Sequence, residues 1–206
     1  MTLNETWESY LKSNGADFVY FVDLSPLPGD IRGEYPRAVF FGKVLSREYL
    51  RALRAGQKPE RREFGNAEHK MDALSVKLAE MLTDEGYKSA VKPENARLPH
   101  KTVGRLAGFG FIGKNTMLVS EDYGCAAALG KVITTAPFDV TYSQPKETRC
   151  GDCTACADIC PANALLGKQW SAATPRDEML VRKLCKPCMK CMVNCPYTVR
   201  YMEDGV

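Results

Sequence analysis

The sequence predicts an α+β fold followed by a small cysteine-rich domain. Strand-like and helix-like runs alternate at irregular intervals over the first part of the chain, which favours α+β over a regular doubly wound sheet. Eight of the nine cysteines then follow within the last third of the 206 residues. With 45% hydrophobic residues the chain can bury a core, and we predict domains over residues 1–145 and 146–206.

Hydrophobic patterns predict the elements of the first domain in chain order. Strands are expected at residues 18–22 and 38–41, followed by a helix in "SREYLRALRAG" with Ser46 as its N-cap and Gly56 at its end. The clearest helix is "NAEHKMDALSVKLAEMLTDEG", whose apolar face comprises Met71, Leu74, Leu78, Met81 and Leu82. Three further strands are predicted in "YKSAVKP", "TMLVS" and "AAALGKVITTAP", and one further helix is predicted in "HKTVGRLAG".

Composition predicts a cytosolic protein with reduced thiols. The first residues lack the basic start, apolar stretch and cleavage site of a secretory leader, so a disulfide framework is not expected. No apolar run approaches the roughly 18 residues of a membrane span. The formal charge of +3 falls to about −1 if two oxidised four-iron clusters are bound. The sequence contains no block of five basic residues, so its charge pattern does not indicate nucleic-acid binding.

The pattern C-x2-C-x2-C-x3-C-P occurs twice and predicts a domain like the bacterial two-[4Fe-4S] ferredoxins. In that pattern the first three cysteines hold one cluster and the fourth ligates the other. One ligand set is therefore expected to be Cys150, Cys153, Cys156 and Cys195. The other is expected to be Cys185, Cys188, Cys191 and Cys160.

Zinc is the alternative metal, because C-x2-C pairs also bind zinc. Zinc sites commonly join two such pairs, whereas three cysteines at x2 steps followed by x3-C-P, twice over, favour iron–sulfur clusters. The segments "ANALLG" and "DEMLVRKL" between the repeats are predicted as short helices that cover the clusters.

The glycine-rich stretch "GFGFIGKN", at residues 108–115, has four interpretations. It matches G-x-G-x-x-G, but a dinucleotide site needs a strand before it and a helix after it, and the predicted order here is reversed. As a phosphate loop it carries Asn115 where a hydroxyl should bind magnesium. Two interpretations remain: a tight turn that lets two backbones pack closely, and a cofactor site of another kind.

The run "LPHKTVGRLAGFGFIGKNTMLVSEDYGCAAALGKVITTAP" and the cysteine repeats resemble the epoxyqueuosine reductases and, more distantly, the reductive dehalogenases. The resemblance implies a nitroreductase-like, corrinoid-binding domain ahead of two clusters that reduce the cobalt of cobalamin or another corrinoid. It places Gly113, Lys114, Asn115, Thr116 and Thr134 beside the corrinoid. It also implies that Glu94, in "PENAR" where the family has an aspartate, is the proton donor; the alternative is a solvated surface glutamate.

The resemblance also implies partners. A ferredoxin or flavodoxin is expected to supply low-potential electrons, and a corrinoid or a corrinoid protein is expected to receive them. Because the sequence ends eleven residues after Cys195, without the helical region with which epoxyqueuosine reductases hold tRNA, a tRNA partner is disfavoured. The other functional hypothesis is an electron carrier whose N-terminal domain only docks a partner.

Three remaining residues carry chemistry that the motifs leave unassigned. His69 and His100 stand outside any corrinoid-ligand pattern and are interpreted as surface or helix-capping residues. Cys125 is the one cysteine outside the repeats, and it is either a buried small apolar residue or a reactive thiol.

Overall fold

The computed structural model describes residues 1–57, 62–92, 98–140 and 145–203. These residues form two compact units, each assembled from separate stretches of chain. The first unit comprises Met1–Val44, Glu63–Gly108 and Ala128–Pro145, and the second comprises Leu45–Arg62, Phe109–Ala127 and Lys146–Val206. The second unit thus includes more than the cysteine-rich segment, and the division into domains at residues 1–145 and 146–206 stays a prediction.

Helices and strands are mixed along the chain, as predicted. The helices are α1 Leu3–Ser13, α2 Gly29–Arg32, α3 Arg47–Arg54, α4 Glu63–Asp84, α5 His100–Leu106, α6 Ala155–Asp158, α7 Lys190–Val193 and α8 Pro196–Glu203. The strands are β1 Phe18–Asp23, β2 Arg37–Val44, β3 Ser89–Ala90, β4 Gly110–Ile112, β5 Leu118–Ser120 and β6 Ala127–Thr134. A short 3-10 helix spans Arg176–Glu178.

The first unit is built on a four-stranded sheet with the order β1-β2-β6-β3. β1 pairs antiparallel with β2, and β3 pairs antiparallel with β6. Helix α4 packs against this sheet through the apolar face that the sequence predicts, although Met81 on that face is only half-buried. The strands and helices predicted from hydrophobic periodicity are therefore confirmed, with β3 reduced to two residues.

The second unit contains the hairpin of β4 and β5, which pair antiparallel, and the helices α3, α6, α7 and α8. Ser46 caps α3 as predicted, because its side chain accepts a hydrogen bond from the backbone N–H of Tyr49 at 3.2 Å. Gly56 follows the helix with φ at +75°, the conformation that glycine adopts most readily.

The prediction of short helices in "ANALLG" and "DEMLVRKL" was wrong. Leu165 and Leu180 instead form an isolated antiparallel β-bridge, and only the 3-10 turn at Arg176–Glu178 is helical there. The left-handed backbone of Asn163 and Gly167 interrupts any helix over the first segment. The two leucines nevertheless pack against cysteines of both repeats.

Among residues 1–57, 62–92, 98–140 and 145–203, no helix has both the length and the apolar character needed to cross a membrane.

Candidate metal centre

Four cysteines from the two repeats line one cavity in the second unit. The cavity has a volume of about 210 Å³. Its sulfur-bearing lining residues are Cys150, Cys153, Cys156 and Cys195. The first repeat therefore contributes three thiols and the second repeat one, which is the combination that crossed ligation requires.

The loop of the first repeat is tightened by its own backbone. The carbonyl of Cys150 accepts a hydrogen bond from the N–H of Cys153 at 2.9 Å, and Gly151 between them has φ at +48°. Helix α6 then turns Cys156 inward, where it is 9% exposed, whereas Cys153 remains exposed. Burial, followed by the neighbouring thiols of Cys150, Cys195 and Cys153, raises the pKa of Cys156 to about 11.

Cys195 enters the cavity at the N-terminus of α8. The largest influence on the pKa of its thiol is a hydrogen bond with the thiol of Cys125. Burial acts in the opposite direction, whereas hydrogen bonds from the backbone N–H groups of Tyr197 and Thr198 and from the Thr198 hydroxyl act in the same direction as Cys125. These donors lower the pKa of Cys195 below its usual value. Helix α8 therefore presents the fourth thiol in a setting that favours its thiolate form.

The other cysteines gather around Cys191. Burial raises the pKa of Cys191 to about 11, and the nearby thiols of Cys156, Cys188, Cys185 and Cys160 add to the increase. Three of these neighbours, with Cys191, make up the second predicted ligand set. Cys160, Cys185 and Cys191 also pack against the same apolar cluster as Leu165 and Leu180.

Crowded, partly buried thiols of this kind resist ionisation in the absence of a cation. A metal that binds displaces the thiol protons, and its positive charge stabilises the resulting thiolates. Within the described residues, no three His, Cys, Asp or Glu side chains are close enough to hold one metal ion together. In a cubane, successive cysteines bind different irons, so the thiols surround a group of atoms instead of converging on one.

The glycine-rich motif forms the turn of the β4–β5 hairpin. Gly113 donates its N–H to the carbonyl of Met117 at 2.9 Å, and Thr116 has φ at +61°. A strand therefore precedes the turn and another follows it, an order that fits neither a dinucleotide site nor a phosphate loop. A Cβ on Gly113 would lie 2.9 Å from Asn115 Oδ1 and from Val119 Cγ2, so the close packing requires glycine.

Lys114 and Asn115 of this turn bind both cysteine repeats. The backbone N–H of Lys114 lies 3.5 Å from Cys150 Sγ, and its Nζ donates to the carbonyl of Cys153 at 3.1 Å. Asn115 Nδ2 lies 3.3 Å from Cys125 Sγ and 3.5 Å from the carbonyl of Cys191. The turn therefore braces the loops that carry the predicted cluster ligands.

Apolar side chains complete the cavity and limit the access of water to the thiols. Phe111 and Tyr197 meet edge to face with their ring centroids 5.3 Å apart, and Val119 lies beside them. The cavity is thus lined by aromatic rings, an aliphatic side chain and thiols, together with the polar side chains of Lys114, Asn115 and Arg149. The apolar part of this lining reduces the hydration of bound charge.

The remaining predicted residues lie elsewhere. Thr134 belongs to the first unit and is fully buried, with its hydroxyl 2.7 Å from Ser89 Oγ and 3.0 Å from the N–H of Ala136. Glu94 lies outside the described residues. His69 is exposed on α4, and His100 is the first residue of α5. The corrinoid contacts predicted for Gly113–Thr116 and Thr134 stay predictions.

Thr198 is a site residue that sequence reasoning missed. It is fully buried, donates to the sulfur of Cys195 and accepts the N–H of Cys125 at 2.9 Å. Because Thr198 lies three residues after Cys195 at the start of a helix, the sequence carried a local signal for its contact with the Cys195 sulfur. Its contact with Cys125 joins residues 73 apart, so the sequence carried no such signal for it.

Comparison with known proteins gives a consistent picture. No family model matches the chain. An epoxyqueuosine reductase of Lactococcus garvieae is 30% identical over 173 residues, which cover 70% of this chain and 48% of that protein. An epoxyqueuosine reductase of Bacillus anthracis is 38% identical over 97 residues, covering 47% of this chain and 24% of that protein. The chain thus spans about half or less of these curated relatives.

Solved structures share the fold. The epoxyqueuosine reductase of Streptococcus thermophilus has a TM-score of 0.61 at 19% identity and covers 97% of this chain and 67% of that one. A reductive dehalogenase described with B12-dependent dehalogenation has a TM-score of 0.62 at 16% identity and covers 89% of this chain and 30% of that one. The resemblance read from the glycine-rich turn and the cysteine repeats is confirmed: the chain is similar in sequence to the epoxyqueuosine reductases and shares its fold with solved epoxyqueuosine reductases and reductive dehalogenases.

Proposed function

We propose that the chain is an iron–sulfur oxidoreductase that holds two [4Fe-4S] clusters with crossed ligands. The first set is Cys150, Cys153, Cys156 and Cys195, and the second is Cys185, Cys188, Cys191 and Cys160. One observation carries this proposal: Cys195, from the second repeat, lines the same cavity as the first three cysteines of the first repeat. When bound, the clusters would supply transfer of single electrons at low potential to a corrinoid or corrinoid protein.

The residues around the first set have separable roles. Helix α8 presents Cys195 where hydrogen bonds, among them one from the Thr198 hydroxyl, lower the pKa of its thiol. Lys114 and Asn115 hold the loops of the two repeats against the β4–β5 turn. Phe111, Val119 and Tyr197 form the apolar part of the cavity lining, which limits solvent access and so contributes to the reduction potential.

Crossed ligation can be tested by dismantling the first set. The wild-type chain, purified and reconstituted without oxygen, is expected to bind about eight irons, and a variant with alanine at Cys150, Cys153 and Cys156 about four. In that background, Cys195→Ala should leave the remaining four irons in place, whereas Cys160→Ala should release them or degrade the cluster. The reverse pattern in iron content and EPR would contradict crossed ligation.

The corrinoid part of the proposal is supported by the relatives, one of which is described as B12-dependent. We propose that Gly113–Thr116 and Thr134 border the corrinoid and that the Glu94 carboxyl holds the proton delivered to the substrate. Anaerobic titration with cob(II)alamin tests binding, since a stoichiometric change in the cobalt EPR spectrum is expected. An unchanged spectrum with all irons present would favour the alternative, an electron carrier whose N-terminal part is a docking module.

Electron donor and substrate can be addressed with the same preparation. Reduced ferredoxin or flavodoxin is expected to reduce the clusters, and the rate can be followed by the loss of visible absorbance. A tRNA stem-loop carrying epoxyqueuosine, as bound in one related structure, is the direct substrate test. Its conversion would assign tRNA modification to this chain, whereas a chain that reduces a corrinoid but leaves the stem-loop unchanged acts on another substrate.

A further inference from the structure

Exposed basic side chains surround two cysteines of the second repeat. Residues 182–190, here called the basic segment, carry two basic residues before Cys185, two after it and no acidic residue. Cys185 is half-buried and Cys188 is exposed. The four basic side chains of the segment are exposed as well: Arg182, Lys183, Lys186 and Lys190. Two proposed cluster ligands therefore lie at the surface among positive charges.

The charge of the basic segment is not neutralised by its neighbours. Among the residues that the structure describes, none of the four basic side chains forms an ion pair. The nearest acidic residues in the sequence, Glu178 and Glu203, pair with Lys168 and Arg54 instead. The positive charge therefore remains available to a partner.

The exposed ligand of the first repeat has the opposite surroundings. Cys153 is exposed, and so are the acidic side chains of Asp152 and Asp158 near it in the sequence. Arg149, the basic residue that precedes this repeat, pairs with Glu121. Charge complementarity thus favours an acidic partner at the second repeat and disfavours it at the first.

We propose that the basic segment is the docking surface for a small acidic redox protein, which delivers single electrons to the cluster proposed for Cys185, Cys188, Cys191 and Cys160. The inference rests on the proposed function and adds the point at which electrons enter. In each event the reduced donor loses one electron and the cluster gains it, and no bond forms or breaks. Complementary charge accelerates the encounter, and an exposed ligand lets the two redox groups approach each other.

A protein fits the basic segment better than a nucleic acid does. Bases commonly stack on aromatic side chains, and residues 182–190 contain none. Leu184 is 48% exposed and Pro187 is exposed too, so apolar surface lies between the charges, as it does in protein interfaces.

Neutralisation of the basic segment tests the proposal. The test variant carries four substitutions: Arg182→Gln, Lys183→Gln, Lys186→Gln and Lys190→Gln. The matched control makes the same change in net charge at exposed lysines of the first unit: Lys12→Gln, Lys70→Gln, Lys77→Gln and Lys88→Gln. Each reconstituted protein is mixed without oxygen with a reduced acidic flavodoxin, and loss of visible absorbance is followed at several ionic strengths.

At an ionic strength of about 10 mM, the second-order rate constant of the test variant is expected to be about tenfold below that of the wild type. The two rates should converge at about 0.5 M, where salt screens the charges, and the control should resemble the wild type throughout. Equal rates at low salt, an equal loss in the control, or a loss that salt does not remove would each overturn the proposal. A loss unaffected by salt would instead indicate an altered cluster potential.

Cross-linking gives a second readout that needs no electron transfer. Carbodiimide joins lysine amines to carboxylates in contact, so mass spectrometry of the complex with flavodoxin should find junctions at Lys183, Lys186 and Lys190. Junctions only in the first unit would overturn the proposal. So would a test variant that keeps its rate with flavodoxin but loses binding of an RNA stem-loop, because the segment would then serve nucleic acid.

The point of entry is tested with the variant that has alanine at Cys150, Cys153 and Cys156. Flavodoxin should still reduce its remaining cluster, and the four glutamine substitutions should slow that reaction as they do in the complete protein. No reduction with about four irons bound would overturn the proposal. A wild-type chain that binds no iron would overturn the proposed function itself, so the iron content of the wild type distinguishes the two failures.

Discussion

Replacement of Gly124 by alanine is expected to destabilise the second unit through a defined collision. Gly124 has φ at +58°, and a Cβ there would lie 2.3 Å from the Thr198 backbone nitrogen and 2.4 Å from Thr198 Oγ1. A left-handed backbone costs a residue with a side chain about 1 kcal/mol relative to glycine. Overpacking against a backbone atom that cannot swing aside adds about 1–3 kcal/mol. The total is about 2–4 kcal/mol.

Gly56→Ala is the matched control. Gly56 also has a positive φ, +75°, and lies in the same unit, but a Cβ there would meet no atom within 4 Å. Only the backbone cost of about 1 kcal/mol should remain. For a chain of this length, a difference of about 2 kcal/mol corresponds to roughly 4–8 °C in the thermal midpoint.

The two variants can be compared by anaerobic thermal unfolding of the reconstituted protein, followed by circular dichroism. Iron release at a fixed temperature gives an independent measure, because movement of Thr198 would disturb its contact with the Cys195 sulfur. Gly124→Ala should unfold at the lower temperature and lose iron sooner. Equal midpoints for the two variants would refute the inference that Gly124 is required for the close contact with α8.

Two further predictions concern buried polar groups. Burial, followed by the Lys131 charge, lowers the pKa of His100 to about 4, so protonation below its ordinary value of 6.5 opposes folding. Urea unfolding should show that the wild type loses about 1 kcal/mol more than His100→Gln between pH 7.5 and 5.5, and parallel pH profiles would contradict this. Thr198→Val leaves the buried N–H of Cys125 without its acceptor and should cost about 1–3 kcal/mol, while Thr198→Ser should retain most of the stability; equal urea midpoints would count against the role of the hydroxyl.

The sequence predicted those features whose signals are local. Helix α4 follows from apolar residues at helical spacing, and the first three cysteines of each repeat lie close together in the sequence. The failure at "ANALLG" has a physical reason, because Leu165 gains its β-bridge from Leu180, fifteen residues away. Helical propensity over six residues is weak and yields to such a pairing.

Contacts that join distant segments could not be read from spacing. Nothing near Cys125 in the sequence indicates its partner, since Cys195 lies 70 residues later and Thr198 lies 73 residues later. The interpretation of the glycine-rich turn was similarly incomplete. Its sequence resembles that of known relatives, but the contacts of Lys114 and Asn115 with the cysteine loops appear only when the hairpin is folded.

These long-range contacts make the β4–β5 hairpin part of the metal centre. Loops that carry cysteines at x2 spacing have little core of their own and, without metal, contain thiols whose burial favours the protonated form. The hairpin supplies contacts that the loops lack, because Lys114 binds the first repeat and Asn115 binds the second. Because these contacts need no metal, they can hold the ligands near their final positions before iron enters. The entropy lost on closing the 35-residue separation between the repeats is then offset partly by protein contacts and only partly by the clusters.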